Sequence, residues 1–492
     1  MSLTENSTAM SPPSGGIHNK PTLKVNVLNY WEVLAQSIAL ISPTMTASLI
    51  VPAMVAVAGN GAWLAYAFAA VMLYFVALCL NEFAKRQTTS GSMYAYVTRG
   101  MGSFWGGMSG WSLVFAYLFI GLAGLTGFTN FAQVLVGMTG HTGFANCLGF
   151  GLGSCAICMA ASFYCAYKDV KLSAVLMLIL EVASVALIIV LSLMVLFHHG
   201  IPIDMDQIKF KGMSFSMLGF GVVVAIFSQV GFEAATAFGE EAKSPLVNIP
   251  KAVIWSLIST GLFFVFVTYM EVYGTKGLTG NNALANLTAP LNTLATMYHA
   301  GWMAIPLSIG AMVSFFSLNL SCLNSAARVM FKMGSHSALH QSVSFTHEKN
   351  DTPHIALTVV AVMMSVIVTG IFLWHNVDAD NFGYVGTFGA FGFLGAYFLI
   401  SIAAPMYLKK IGELQPKHII ISAIAVVLLI VPAVGSVYTS PPQPAPIKYF
   451  VYIYLAYMIC GLISTFMNKA KHEETMESIK LDLEHSTLTS TH

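Results

Sequence analysis

Twelve apolar runs separated by short polar breaks constrain this chain more than any other feature. Each is long enough to cross a hydrocarbon layer about 30 Å thick as a helix of roughly 20 residues. They cover 33–58, 61–83, 105–137, 148–167, 171–197, 214–238, 250–273, 301–327, 355–374, 382–407, 418–437 and 448–468. Lipid offers the backbone no hydrogen-bond partners, so such segments must satisfy their own amides and carbonyls as helices. The expected fold is therefore an all-α integral membrane protein with twelve transmembrane helices. Composition agrees, since 9% of the residues are charged, against about 25% in soluble domains.

Charge placement tests the count. With the N-terminus in the cytoplasm, 18 of the 22 lysines and arginines fall inside, and only Lys209, Lys211, Lys276 and Lys448 fall outside. By the positive-inside rule this places both termini in the cytoplasm and the protein in the cell (cytoplasmic) membrane. A formal net charge of +1 gives no ground for a nucleic-acid partner. The expected organisation is a disordered polar tail over 1–27, a membrane domain over 28–468 and a polar C-terminal tail over 469–492. The first tail, with SPPSGG, lacks the short apolar segment of a signal peptide, and neither tail carries a lipidation motif. Oligomeric state is not readable.

Enzyme chemistry has little support. Cys155 and Cys158 have redox-motif spacing but lie within an apolar run, where small-residue packing is the expected role. His336 and His340 are spaced i, i+4 without a third ligand, so no metal site or cofactor is expected. His198 and His199 fit a solvated helix end, and Arg328 fits a headgroup anchor. Glu82 with Lys85 or Arg86 reads as an interfacial cluster, and Gly102, Gly106, Gly107 and Gly110 as points of close helix approach. The segment from Gly274 to Ala300 is long enough for a short helix over an outer pocket.

The informative residues are helix breakers and polar groups inside the spans. Ser42, Pro43, Thr44 and Thr46 fall halfway along the first run, where proline removes an amide donor and opens the helix. Ser228, Gln229, Gly231 and Glu233 repeat the interruption in the sixth. An ionised carboxylate at mid-bilayer costs roughly 2.5 to 3.5 kcal/mol on insertion scales, so Glu233 should face a cavity, a cation or a proton route. Glu240, Glu241 and Lys243 mark the return to water. Two broken helices five spans apart point to a transporter built from inverted repeats of five helices, with substrate at mid-membrane. Freed amides and a positive helix end suit a carboxylate, while freed carbonyls and an acid suit an ammonium group. A zwitterionic amino acid satisfies both.

Three segments carry a family resemblance. GFEAATAFGEEAKSPLVNIPKAV resembles the sixth-helix signature of the amino acid/polyamine/organocation permeases. NEFAKRQTTSGSMYAYVTRGMGS, Asn81 to Ser103, resembles the loop after their second helix, and NSAARVMFKMG followed by TPHIAL their eighth-to-ninth helix junction. The resemblance runs from about residue 28 to 410 and implies a five-plus-five fold with broken helices 1 and 6, two added C-terminal helices and alternating access. It implies substrate contacts at Ser42, Thr44, Met45 and Thr46, a gate at Phe227, and pocket positions at Ser228, Gln229 and Val230. Glu233 falls on a position associated with proton-dependent gating.

The chain also departs from the family pattern. SPTMT replaces a glycine-rich break, so hydroxyls stand in for part of the bare backbone. Gln229 hints at a polar substrate side chain, with bonding to neighbouring backbone as the alternative. Some proton-coupled relatives have a lysine on helix five where this chain has Ser184. That leaves sodium, exchange, or proton transfer through a carboxylate. Burial disfavours the charged form of a carboxyl, which makes Glu181 and Glu233 candidates for proton coupling. A sodium site would draw on Ser314, Ser317 and Ser184. The sequence thus predicts a secondary transporter for an amino acid or closely related amine, working as symporter or exchanger. A polyamine or other organic-cation carrier is the alternative, and a channel or sensor a more distant one.

Overall fold

The computed structural model describes residue 23 and residues 25–168, 170–200, 203–211, 213, 215–280, 283–375, 380–437 and 447–467. The expectations for the two polar tails lie almost wholly outside these residues. The described chain is helical, with one isolated parallel bridge, Leu28 to Ala242, and no strand among the described residues.

The first apolar run forms α1 (Tyr30–Ile41), α2 (Pro43–Met45), a π-helical turn at Thr46–Ile50 and α3 (Val51–Ala58). The chain then forms α4 (Ala62–Ala84), α5 (Ser92–Met101), α6 (Ser103–Met138), α7 (Thr142–Ala145), α8 (Leu148–Lys168) and α9 (Val170–His199). It continues through α10 (Met205–Ile208), α11 (Phe215–Gln229), a 3-10 segment at Ala234–Phe238, α12 (Pro245–Gly274), α13 (Pro290–Met297) and α14 (Ala304–Ser335). The last four are α15 (His354–His375), α16 (Asp380–Lys410), α17 (Pro416–Val437) and α18 (Ile447–Met467).

Ten helical stretches among the described residues are long and apolar enough to cross a membrane. One of them, Tyr30–Ala84, has 55 residues, more than twice the roughly 20 of a single crossing, and it is broken at Ser42 and again at Gly59–Gly61. Helix α18 is also apolar over Lys448–Ser464.

Local chemistry explains where helices begin. Asn29 Oδ1 accepts from the amides of Trp31 and Glu32, and Glu32 Oε2 accepts from the Asn29 amide. This capping box fixes the start of α1. Helix α6 runs through the interior, packing mainly on α14 and α16. A Cβ at Gly124 would lie 2.9 Å from the Phe315 carbonyl and the Asn319 amide, so only glycine permits that approach. Of the glycines expected at close approaches, Gly106 faces Thr98 and Gly110 faces Met333. Gly102 has open space around it and is needed for its φ of +96° in the α5–α6 turn. A short helix does form between Gly274 and Ala300, as α13, and it packs near the π-helical turn.

Candidate functional site

Proline creates the first break. Ser42 adopts φ +51°, ends α1 and precedes Pro43, so the chain restarts as a new helix start inside the bundle. Amides at such a start lack intrahelical partners. The Thr44 amide donates to Glu181 Oε1 at 2.9 Å, so a carboxylate of the protein itself occupies one of the freed donors. Ser42 Oγ lies 2.7 Å from Ser314 Oγ. Ser184 Oγ donates to the Leu180 carbonyl and packs against Gly310, one turn before Ser314. The fold therefore gathers Ser42, Thr44, Glu181, Ser184 and Ser314 at the junction of α1, α9 and α14. Thr44, Thr46 and Ser317 have buried hydroxyls without a hydrogen-bond partner, as does Glu181 Oε2. Met45 is buried beside them.

The second break follows α11. Gly231 has φ +105°, and a Cβ there would collide with Leu40 of α1, so glycine is required twice over. Glu233 is fully buried and well partnered. Tyr397 Oη donates to Oε2 at 2.6 Å, Tyr117 Oη to Oε1 at 3.2 Å and the Gly231 amide to Oε2 at 3.1 Å. These donors come from α6, α16 and the break itself. A carboxylate with three donors can lie in a protein interior without a cationic partner.

Ser37 fastens α1 to the second break. Its hydroxyl donates to the Phe232 carbonyl at 2.8 Å and accepts from the Ala235 amide at 3.0 Å. One side chain of α1 thus satisfies two backbone groups that the interruption in the sixth run leaves free. Near the same break, Phe227 packs on Phe382, with ring centroids 5.5 Å apart, and its ring covers Gly386. Ser228 Oγ lies 3.1 Å from Tyr66 Oη. Gln229 donates through Nε2 to the Tyr66 carbonyl at 3.0 Å, the backbone-bonded alternative to a role toward a substrate side chain. Val230 is buried.

Two sequence expectations are overturned at the other end of the site. Arg328 does not reach a headgroup layer, and Glu241 does not meet water. They form a buried bidentate pair, Nε to Oε2 at 2.6 Å and Nη2 to Oε1 at 2.9 Å, with both side chains 1% exposed. The guanidinium stacks 4.2 Å from the Phe238 ring centroid. The Glu241 carbonyl accepts from the amides of Val27 and Leu28, and the Lys243 amide donates to Leu28. The chain ahead of α1 is thereby fastened to the segment ahead of α12. Beside it, Lys332 Nζ lies 3.0 Å from Glu240. The other histidine and charge readings resolve simply: His336 Nδ1 lies 3.1 Å from Tyr94 Oη, and Arg86 bridges Glu82 and Glu413.

Sequence reasoning missed the residues that hold Glu233 and the backbone of the second break. Ser37, Tyr117 and Tyr397 are single polar positions in apolar helices, and only the fold aims them at the breaks. It also missed another buried acid, Glu271 of α12, whose two carboxylate oxygens have no hydrogen-bond partner. Its signal was available as a glutamate inside an apolar run.

Two interrupted helices fastened together, polar groups gathered at the interruptions and an apolar exterior define a multi-pass membrane permease. The sequence model of the amino acid permease family matches residues 28–463, and the chain belongs to that family. It is a transporter of the amino acid class and not an enzyme. It is 25% identical to the branched-chain amino acid permease BcaP of Bacillus subtilis, over 85% of this chain and 87% of that one. It is 23% identical to cationic amino acid transporter 4 of Mus musculus, over 70% of this chain and 54% of that longer protein. The methylthioribose transporter of Bacillus subtilis is 24% identical, over 75% of this chain and 79% of its own length. The fold is shared with MhsT, solved in complex with L-phenylalanine, at TM-score 0.60 and 15% identity, over 84% of this chain and 99% of that one.

Proposed function

We propose that this permease is a secondary active transporter that carries an amino acid across the cell membrane by alternating access, with substrate bound between the two helix breaks. The observation that carries this reading is Ser37, which ties α1 to the carbonyl and amide freed at the second break. Movement of one broken helix is then felt by the other. In this reading the chain has twelve transmembrane helices in an inverted five-plus-five arrangement plus two, with Tyr30–Ala84 contributing two crossings and α18 the last. Both termini are cytoplasmic, and the Arg328–Glu241 pair closes the cytoplasmic side.

Ser42, Thr44, Met45 and Thr46 meet the substrate carboxylate and ammonium group together with Ser228, Gln229 and Val230, and Phe227 acts as the gate. The Thr44 amide is released to substrate when Glu181 withdraws. Around Phe227 the ring contacts are aromatic: Phe227 meets Phe382, Phe382 meets Phe315 and Phe315 meets Phe131. With Gln229 Nε2 engaged by backbone, these rings favour a substrate with an apolar side chain. Glu181 and Glu233 are the candidates for proton coupling. Ser42, Ser184, Ser314 and Ser317 are the oxygens available if sodium is used instead.

Purified protein in proteoliposomes, offered labelled apolar, cationic and polar amino acids and a polyamine under separately imposed proton and sodium gradients, tests the proposal. Saturable uptake of an apolar amino acid is the expected result. Uptake of none of the panel refutes transport as read here, and uptake restricted to the polyamine overturns the substrate class.

A further inference from the structure

Glu271 stands three residues before the end of α12, is 1% exposed, and neither of its oxygens has a hydrogen-bond partner. Among the described residues, no other acid at the heart of this protein is left this way. Glu233 has three donors, Glu241 has Arg328, and Glu181 has the Thr44 amide. One turn earlier on the same helix, the Thr268 hydroxyl is also buried and unpartnered. The side chain is therefore buried with no protein donor to stabilise a negative charge.

The groups around α12 leave it unneutralised. From α4, Tyr66 lies within electrostatic reach of Glu271 and brings a phenol, not a cation. From α9, His199 stacks on Tyr273 and lies 2.7 Å from Tyr298 Oη, while Glu181 is held at Thr44. Lys276 is the nearest lysine along the chain, and it is engaged by Asp204 at 2.8 Å and Asp206 at 2.7 Å. Helix α1 brings Tyr30 and Glu32 in its first turn, where Glu32 accepts from the Asn29 amide, and α2, α3, α11, α13, the π-helical turn and the 3-10 segment bring no titratable side chain. An isolated ionised carboxylate in an apolar setting is so unfavourable that the group takes its neutral form instead.

Glu271 is also within electrostatic reach of a residue at the second break. That residue, Tyr66, lies 3.1 Å from Ser228 Oγ through its hydroxyl and accepts from Gln229 through its carbonyl. A movement of α4 away from α12 that lets water reach Glu271 carries with it Tyr66, the residue that meets Ser228 and Gln229 at the second break.

We propose that Glu271 is a proton-binding site of this transporter, separate from Glu181 and Glu233. It holds a proton while α4 and α12 are packed together and releases it when they part. On release the carboxyl O–H bond breaks, the proton passes to an entering water, and the hydrated carboxylate remains. Repacking α4 on α12 requires the carboxylate to recover a proton from water. The state of Glu271 is thereby linked through Tyr66 to Ser228 and Gln229. The coupling role rests on the transport function proposed above, whereas proton binding itself does not.

The test uses the full-length protein. Glu271→Gln keeps the shape of the neutral carboxyl but cannot exchange the proton. Infrared difference spectra between acidic and alkaline buffer are expected to contain a neutral-carboxyl band that is lost in E271Q. In proteoliposomes, accumulation driven by a proton gradient is expected to be lost in E271Q while counterflow, which needs no gradient, persists. A purely structural role would lower both together. Spectra identical in parent and variant overturn the proposal, as does undiminished proton-driven accumulation. Loss of a sodium-driven response at constant pH would assign the site to sodium and overturn the proton reading. If the parent transports no amino acid, the transport proposal fails while the infrared comparison still decides proton binding. Should E271Q not assemble, Tyr66→Phe is expected to shift the Glu271 band, and an unshifted band refutes the link to Tyr66.

Discussion

Replacing Arg328 by methionine should drive the protein toward a conformation open on the side that Arg328 and Glu241 close. In the closed state the Glu241 carboxylate would keep its burial and lose both guanidinium hydrogen bonds, at 2.6 and 2.9 Å. Removing one member of a buried pair costs about 3–5 kcal/mol, because an uncompensated charge is left behind. That penalty falls on the closed state, since opening lets water reach the carboxylate. At 1.4 kcal/mol per tenfold, the open-to-closed ratio should rise roughly a hundred- to a few thousandfold.

The assay is thiol labelling of Ser325→Cys by a membrane-impermeant reagent added on the Glu241 side. Ser325 is fully buried one turn before Arg328. The R328M background should label much faster than the parent background. The double replacement E241L/R328M supplies the control, because exchanging a buried pair for packed apolar side chains is often neutral or stabilising. It should return labelling toward the parent rate. Equal rates in R328M and parent, or a double variant as fast as R328M, would refute the reasoning that an unpaired charge opens this side.

Glu233→Gln should flatten the pH dependence of transport while the protein still assembles. An unchanged profile at full activity excludes Glu233 from coupling. Phe227→Ala removes the ring that packs on Phe382 and covers Gly386, so preloaded labelled substrate should escape faster, and parent-like release rates would count against the gate. Ser37→Ala leaves the Phe232 carbonyl and Ala235 amide without their partner. A loss of about 1–3 kcal/mol should follow, visible as a lower unfolding temperature in detergent. Asp206 lies outside the membrane spans, and its hydrogen bond with Lys276, helped by the charge of Lys211, holds its carboxyl below the usual value. Its stabilising contact is therefore present at neutral pH and is lost only as pH falls through that depressed value. Asp206→Asn should leave any pH dependence between about pH 5 and 8 unchanged; a shifted profile in that range would mean the outer ion pair takes part in coupling.

The apolar runs, the break at Ser42–Pro43 and the glycine at 231 were legible because each acts through the local backbone. Run length in lipid demands helix, proline removes an amide, and a positive φ demands glycine at 231. The acids were legible as expensive charges inside such runs, although Glu271 escaped notice near the end of its helix. Partners were not legible. Ser37 lies 195 residues from Phe232, Tyr397 lies 164 residues from Glu233, and Arg328 lies 87 residues from Glu241. Nothing in the local sequence distinguishes a tyrosine that caps a carboxylate from one that faces lipid.

Sequence alone therefore determined that the chain is a bundle of apolar helices with two interruptions and a few acids out of water. The tertiary structure decided what each acid meets: two tyrosines and an amide for Glu233, a helix start for Glu181, a guanidinium for Glu241 and no hydrogen-bond partner for Glu271. The physical reason is range. Helix formation and helix breaking are settled by neighbours within a turn, whereas satisfying a buried carboxylate depends on which distant helix packs against it and which face that helix presents.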